Sequence, residues 1–193
     1  IGVEPAGAAC MKASLKKGEV VTLPHVNTIA DGTAVQTPGK KIFPYIQKNL
    51  DDIITVEDEE LIVNFLDVVE NHKMVVENSG LLSVAALKHL NCKDKRVVSI
   101  LSGGNMDIIT MSSVVQHGLI ERGRVFTVSV QLPDRPGDLV NVANVLAQLK
   151  GNVIRLEHNQ FVSINRNAAV ELKITLEAFG HEHKEQIVSA LRD

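Results

Sequence analysis

Tryptophan is absent, tyrosine occurs once and phenylalanine five times, so the chain offers few flat faces on which nucleic-acid bases could stack. Positive charge is not in surplus either: 20 Lys and Arg against 23 Asp and Glu leave a formal net charge of -3. With neither a basic patch nor aromatic platforms, no nucleic-acid partner is expected. No apolar stretch approaches the roughly 18 residues that a membrane-crossing helix needs, and no secretory leader pattern is present, so no membrane association is expected. The only two cysteines, Cys10 and Cys92, match no zinc or redox spacing and are expected as free thiols in a reducing, cytoplasmic setting. The seven histidines are scattered. His181 and His183 are close, but two residues apart on a helix they face different directions, which suits surface positions better than a ligand pair.

What is present is ordinary for a globular protein: 193 residues, 45% hydrophobic and 22% charged, enough for one large domain or two small ones. From the start, apolar runs alternate with helical patterns, the rhythm of an α/β region. Ile1 to Val3 reads as a strand, Ala8 to Lys17 as a helix stopped by Gly18, and Glu19 to Pro38 as loop. A helix from Pro38-Gly39 to about Leu50 and a strand from Asp52 to Val56 follow. Glu57 to Asn71 is amphipathic, with Leu61, Phe65, Val68 and Val69 at helical spacing and an acidic start that suits the positive end of the helix dipole. After the short run Met74 to Glu77, Gly80 to Leu90 predicts a buried helix. Arg96 to Leu101 predicts a strand buried on both faces, and Met106 to His117 a helix ended by Gly118.

A short linker over residues 119–123 then precedes a second unit. Phe126 to Leu132 alternates with period two, as a half-buried strand does. The turn Pro133 to Gly137, a helix from Asp138 to Leu149, strands at Val153 to His158 and Val170 to Leu176, and a helix from His181 to Leu191 complete the order βαββα. That order is a ferredoxin-like unit without its final strand.

Ser102-Gly103-Gly104-Asn105 stands at the carboxyl end of an apolar strand and before a helix, where open α/β sheets bind ligands. Two glycines let backbone approach a ligand closely, and a serine there can hydrogen-bond a ring nitrogen, although four residues alone suit a plain strand-to-helix turn better. Three further segments stand in order before it: Gly2-Val3-Glu4-Pro5, Thr28-Ile29-Ala30-Asp31-Gly32 and Val76-Glu77-Asn78-Ser79-Gly80. Together the four resemble the threonine dehydratase and serine racemase family over residues 1 to about 118.

The resemblance implies a partial tryptophan-synthase-β-like (fold type II) domain and the cofactor pyridoxal 5'-phosphate. It gives Ser102 the pyridine nitrogen, Gly103, Gly104 and Asn105 the wall beside the ring, Glu77 the ring edge, and Asp31 with Gly32 the substrate side. Helix capping for Glu77 and turn formation for Asp31 stay open beside these roles. The family sometimes binds a cation at the segment matching Glu4, Ala8 and Cys10. A hard cation prefers oxygen, and a thiol stands at Cys10 where an acidic residue is usual. No divalent metal is therefore expected, and Glu4 and Ala8 stay candidates only for a monovalent ion. The cofactor-bearing lysine and the glycine-rich phosphate loop of the family lie in an earlier segment, and no lysine here sits in a matching motif. The chain therefore reads as the C-terminal part of a longer enzyme, silent by itself.

The second unit resembles an ACT domain, the small α+β regulatory fold of many amino-acid enzymes. Its matching segment, Leu132 to Leu139, implies an effector site at Asp134, Arg135, Pro136, Gly137, Asp138 and Leu139, built on outward-facing backbone N–H groups at a helix start. Isoleucine, valine or a nucleotide are the implied effectors, and a homodimer or homotetramer the implied assembly. Activity on an amino acid, deamination of L-threonine with L-serine as secondary substrate, is the leading expectation. A non-catalytic amino-acid-binding fragment, or a serine racemase or serine dehydratase, are the alternatives.

Overall fold

The structure is a computed structural model and describes residues 1–133, 135–159 and 170–192. It divides into two compact units, Ile1–Gly118 and Leu119–Asp193.

In the first unit, strand β1 (Gly2–Pro5) pairs in parallel with β2 (Ile53–Val56), Gly2 opposite Ile53 and Pro5 opposite Val56. Helix α1 (Cys10–Lys17) ends at Gly18, whose left-handed backbone (φ 80°) returns its N–H to Ser14 and Leu15. Helix α2 (Phe43–Asn49) begins later than its Pro-Gly signal. Helix α3 (Asp58–Asp67) buries Leu61 and Phe65 completely, as their spacing predicts, and loosens into a π turn over Val68–His72. The buried stretch after Glu77 is no single helix. It breaks into a 3-10 turn (Asn78–Leu81), the one-turn helix α4 (Leu82–Ala85) and a second 3-10 turn (Ala86–His89). Leu81, Leu82, Ala85 and Ala86 join Leu61, Phe65 and Val56 in one core.

Two expectations are corrected. Arg96 to Leu101 forms no strand, and Val98 and Ile100 are 90% and 75% exposed. A strand buried on both faces needs a hydrogen-bonding neighbour, and none of the described residues pairs with this segment. It is held instead by Ser83, whose hydroxyl donates to the Ile100 carbonyl (2.7 Å) and whose carbonyl accepts from the Ser99 hydroxyl (3.2 Å). Gly118 does not end its helix: α5 runs Ile108–Glu121, into the expected linker. A Cβ at Gly118 would lie 2.6 Å from Leu66 Cδ1, so this glycine marks a packing contact rather than a stop. The stop is Gly123 (φ 63°), with Gly123 N–H on Ile120 and Arg124 N–H on Leu119 in a Schellman arrangement.

In the second unit, β3 (Val125–Leu132), β4 (Asn152–Asn159) and β5 (Val170–Glu177) form an antiparallel sheet of order β3-β5-β4. Leu172, Ile174 and Leu176 of the central strand are fully buried beneath Val142 and Leu146 of α6 (Asp138–Gln148) and Ile187 of α7 (His181–Ala190). The alternate residues make a polar face, where Thr127 meets Thr175 at 3.0 Å and the Ser129 hydroxyl donates to Glu171. The two neighbouring histidines are structural: His181 Nε2 reaches the Glu121 carbonyl (2.9 Å), and His183 takes the Phe179 N–H on Nδ1 while Nε2 reaches the Leu149 carbonyl (2.6 Å).

Glu60 joins two pieces of the first core. Its carboxylate accepts the Glu57 N–H in a capping box and also meets Lys88 and His89 of the last 3-10 turn. Burial pushes its carboxyl up, but Lys88, the Glu57 amide and His89 together outweigh this and hold it below the usual range. A depressed folded pKa stabilises above the unfolded value and the gain is lost as pH falls through the folded one. Glu60→Gln is expected to lower stability by about 1 kcal/mol at pH 7, the deficit fading below about pH 4, as urea unfolding across that range would record.

Candidate functional site

Three of the four motif segments meet at one turn, Glu77-Asn78-Ser79. The Glu77 side chain lies against the Ser102–Asn105 loop: its Oε2 accepts the Asn105 N–H at 3.2 Å, and its own backbone N–H donates to the Gly103 carbonyl at 3.2 Å. This approach depends on Gly103, where φ is 75° and a Cβ would fall 2.2 Å from the Glu77 carboxyl carbon. Asn78 and Ser79 reach the other way. Asn78 Nδ2 donates to the Ile29 carbonyl (3.1 Å), and Ser79 Oγ accepts the Gly32 N–H (2.9 Å). The base of that loop is fixed by Asp58, which accepts the Thr28 hydroxyl (2.6 Å) and the Ile29 N–H (2.9 Å). The acidic start of α3 therefore both caps the helix and anchors the Asp31 loop, a second role that spacing does not reveal.

Between these segments lies a cavity of about 380 Å³, within the range of small-molecule sites, roughly 300–1,000 Å³. Asp31, Gly32, Glu77 and Asn105 line it, as do Asn78 and Ser79, which stand in a motif segment that implies no role for them, and Asp107 and Thr110, which the sequence did not single out. Asp31 starts a 3-10 turn, Asp31–Thr33, is exposed, and makes no hydrogen bond or ion pair to another described side chain. Asp107 closes the amino end of α5: its Oδ1 accepts the Ile109 and Thr110 N–H groups and its Oδ2 the Thr110 hydroxyl. The Thr110 hydroxyl and amide, followed by the Ile109 amide, hold its carboxyl below the usual range. A cap of this kind is visible in sequence as an Asp immediately before an apolar helix.

Ser102, Gly103 and Gly104 are exposed and do not line the cavity. The Ser102 carbonyl is packed where a Cβ on Gly80 would sit, 1.7 Å away, and its hydroxyl bonds no other described residue. Glu4 uses both carboxylate oxygens on α1, accepting the Met11 and Lys12 N–H groups at 2.8 and 2.9 Å. Ala8 is buried, and among the described residues no group of three His, Cys, Asp or Glu is placed to hold a metal. Burial, then the Glu4 charge, pushes the Cys10 thiol up. In the second unit Gly137 (φ 105°) opens α6, and the Asp138 N–H bonds the Arg135 carbonyl at 3.3 Å, so that one helix-start donor is turned inward. Arg135, Pro136 and Leu139 are exposed, whereas Asp134 lies outside the described residues.

The model of the pyridoxal-phosphate-dependent enzyme family matches residues 1–103. The chain belongs to that family. Pyridoxal 5'-phosphate is the family's cofactor, and the first unit is a mixed α/β segment of its fold-type II architecture. The whole chain is 37% identical to an L-threonine ammonia-lyase of Geobacter sulfurreducens, covering 48% of that protein. Over 99% of its length it is 32% identical to an L-threonine ammonia-lyase of Thermotoga maritima, again covering 48%. It thus spans about half the length of the curated relatives it matches. The processed threonine deaminase isoform 2 of Solanum lycopersicum superimposes with a TM-score of 0.55 and 33% identity, over 60% of this chain and 35% of that one.

The residues present fit the family's cofactor. The Ser102 hydroxyl is exposed and bonds no other described residue, which leaves it open to a ring nitrogen. The Glu77 carboxylate fills the space that a side chain at Gly103 would take, and Gly104 is exposed with room for a close approach to its backbone. The Gly103 constraint is directly testable. Gly103→Ala should cost about 1–3 kcal/mol in urea unfolding, because positive φ and the Glu77 contact both oppose a Cβ. Gly104→Ala, whose Cβ would meet only the Val75 carbonyl at an ordinary 3.5 Å, should change stability far less.

Proposed function

We propose that this chain is a portion of a cytoplasmic threonine ammonia-lyase that converts L-threonine to 2-oxobutanoate and ammonia, with L-serine as a secondary substrate. The observation that carries this is the Glu77 turn, which brings the Asp31–Gly32 loop and Asn105 to one cavity and holds Gly103 beside the Glu77 carboxylate. The relatives' activity supports the reading of what that cavity serves.

When bound, the cofactor supplies the electron sink that allows the Cα–H bond of the amino acid to break and its β-hydroxyl to leave. The chain's own residues hold and shape. Ser102 would donate its hydroxyl to the pyridine nitrogen, and a neutral hydroxyl there does not keep the ring protonated. Gly103, Gly104 and Asn105 would form the wall beside the ring, with Glu77 at its edge fixed by the Asn105 amide. Asp31 and Gly32 would face the substrate, Asp31 with its carboxylate uncommitted. Glu4 has a structural role at α1, and no metal enters the scheme.

The second unit would act as an ACT regulatory domain, with the turn Asp134 to Leu139 at the effector site and side-by-side pairing of copies in a homodimer or homotetramer. Isoleucine or valine would be the effector of a biosynthetic enzyme. Coupling of this kind is typically worth about 1–3 kcal/mol.

Ser102→Ala in the full-length protein is expected to lower kcat by at least tenfold with the cofactor still bound and the melting temperature unchanged. Unaltered turnover at full cofactor occupancy would refute the assignment of Ser102. Gly137→Val is expected to abolish the effector response, because a β-branched residue cannot hold φ near 105°. Calorimetry finding undiminished effector affinity in that variant would count against the turn as the effector site.

A further inference from the structure

We infer that Asn78 and Ser79 are positioning residues that set where the substrate-side loop stands relative to the Glu77 carboxylate. The inference rests on the proposed function above, and goes beyond it by assigning work to two cavity-lining residues to which that scheme gives no role.

Glu77, Asn78 and Ser79 are consecutive, and their side chains divide between two loops: Glu77 to Asn105, Asn78 to Ile29 and Ser79 to Gly32. The loop from Thr28 to Gly32 is thereby pinned on both sides, by Asp58 at Thr28 and Ile29 and by this turn at Ile29 and Gly32. Asp31 sits between the pins, its carboxylate bonded to no other described side chain, so the pins determine where that carboxylate is presented. Asn78 is 7% exposed, and its Oδ1 is buried with no hydrogen-bond partner. A buried acceptor left unpaired is unfavourable, so this side chain is a poor choice for stability alone. Among the described residues, the one bond this side chain makes, to the Ile29 carbonyl, is a bond to the loop. Ser79 is equally specific: a Cβ on Gly32 would lie 2.7 Å from its Oγ, so hydroxyl and glycine are fitted to each other.

The test uses the full-length protein loaded with pyridoxal 5'-phosphate, in wild type and as Asn78→Leu, Ser79→Ala and Ser79→Thr. Three quantities are read: the cofactor absorption band, KM and kcat for L-threonine, and hydrogen–deuterium exchange of the Gly32 amide. Positioning predicts that Asn78→Leu and Ser79→Ala keep the band and the melting temperature. It further predicts that they raise KM at least tenfold with kcat changed less than threefold, and that Ser79→Ala speeds Gly32 exchange at least tenfold. Ser79→Thr, which keeps the acceptor, should restore wild-type values. A wild-type band with KM and Gly32 exchange unmoved in both variants overturns the inference alone. So does a loss of melting temperature and band together with unchanged KM, which is the mark of a merely structural role. A wild-type protein that shows no cofactor band overturns the functional reading, and this inference with it.

Discussion

The contact between the Glu77 carboxylate and the backbone of Gly103 and Asn105 is the constraint on which the first unit's site depends. Residues 77 and 105 are far apart in sequence, and each belongs to a segment without regular secondary structure at the point of contact. Loops can be brought together in this way only if their backbone groups find partners, and here a carboxylate side chain supplies one. Gly103 permits the approach by having no Cβ and by adopting a left-handed backbone. Once this contact is made, Asn78 and Ser79 extend the same turn to the Asp31 loop, and the cavity follows.

The fold supplies the fixed points. Helix α3 packs Leu61 and Phe65 into the core, and its first turn projects Glu60 to the 3-10 turn of Lys88 and His89 and Asp58 to the Thr28 loop. A single helix start thus sets the position of two neighbouring segments, one structural and one at the cavity. The second unit shows a simpler economy. One strand, β5, alternates fully buried leucine and isoleucine with Glu171, Lys173 and Thr175, so one face takes the helices and the other a polar surface.

Much of this was legible in the sequence where periodicity or backbone chemistry decides it. Leu61 and Phe65 announce their helix, and the period-two run of β3 its strand. Family resemblance grouped Ser102 to Asn105, Glu77 and Asp31; of these, Asp31, Glu77 and Asn105 share a cavity, whereas Ser102, Gly103 and Gly104 do not line it. Other features depended on tertiary contacts that no local pattern records. Gly118 looks like a helix stop, but it is the point at which α5 meets Leu66. Arg96 to Leu101 has strand composition without a strand neighbour among the described residues, so composition alone could not make it one. Asn78 and Ser79 look like turn residues. Their importance lies in what they reach across space, to Ile29 and Gly32.

Hydrogen–deuterium exchange of the Asn105 amide, compared between wild type and Glu77→Ala, tests the central contact most directly. If the Glu77 carboxylate is what holds this loop, exchange at Asn105 should accelerate at least tenfold in the variant while amides inside α3 stay as they were. Equal exchange in the two proteins would show that the loop is held by something else, and the cavity would need a different explanation.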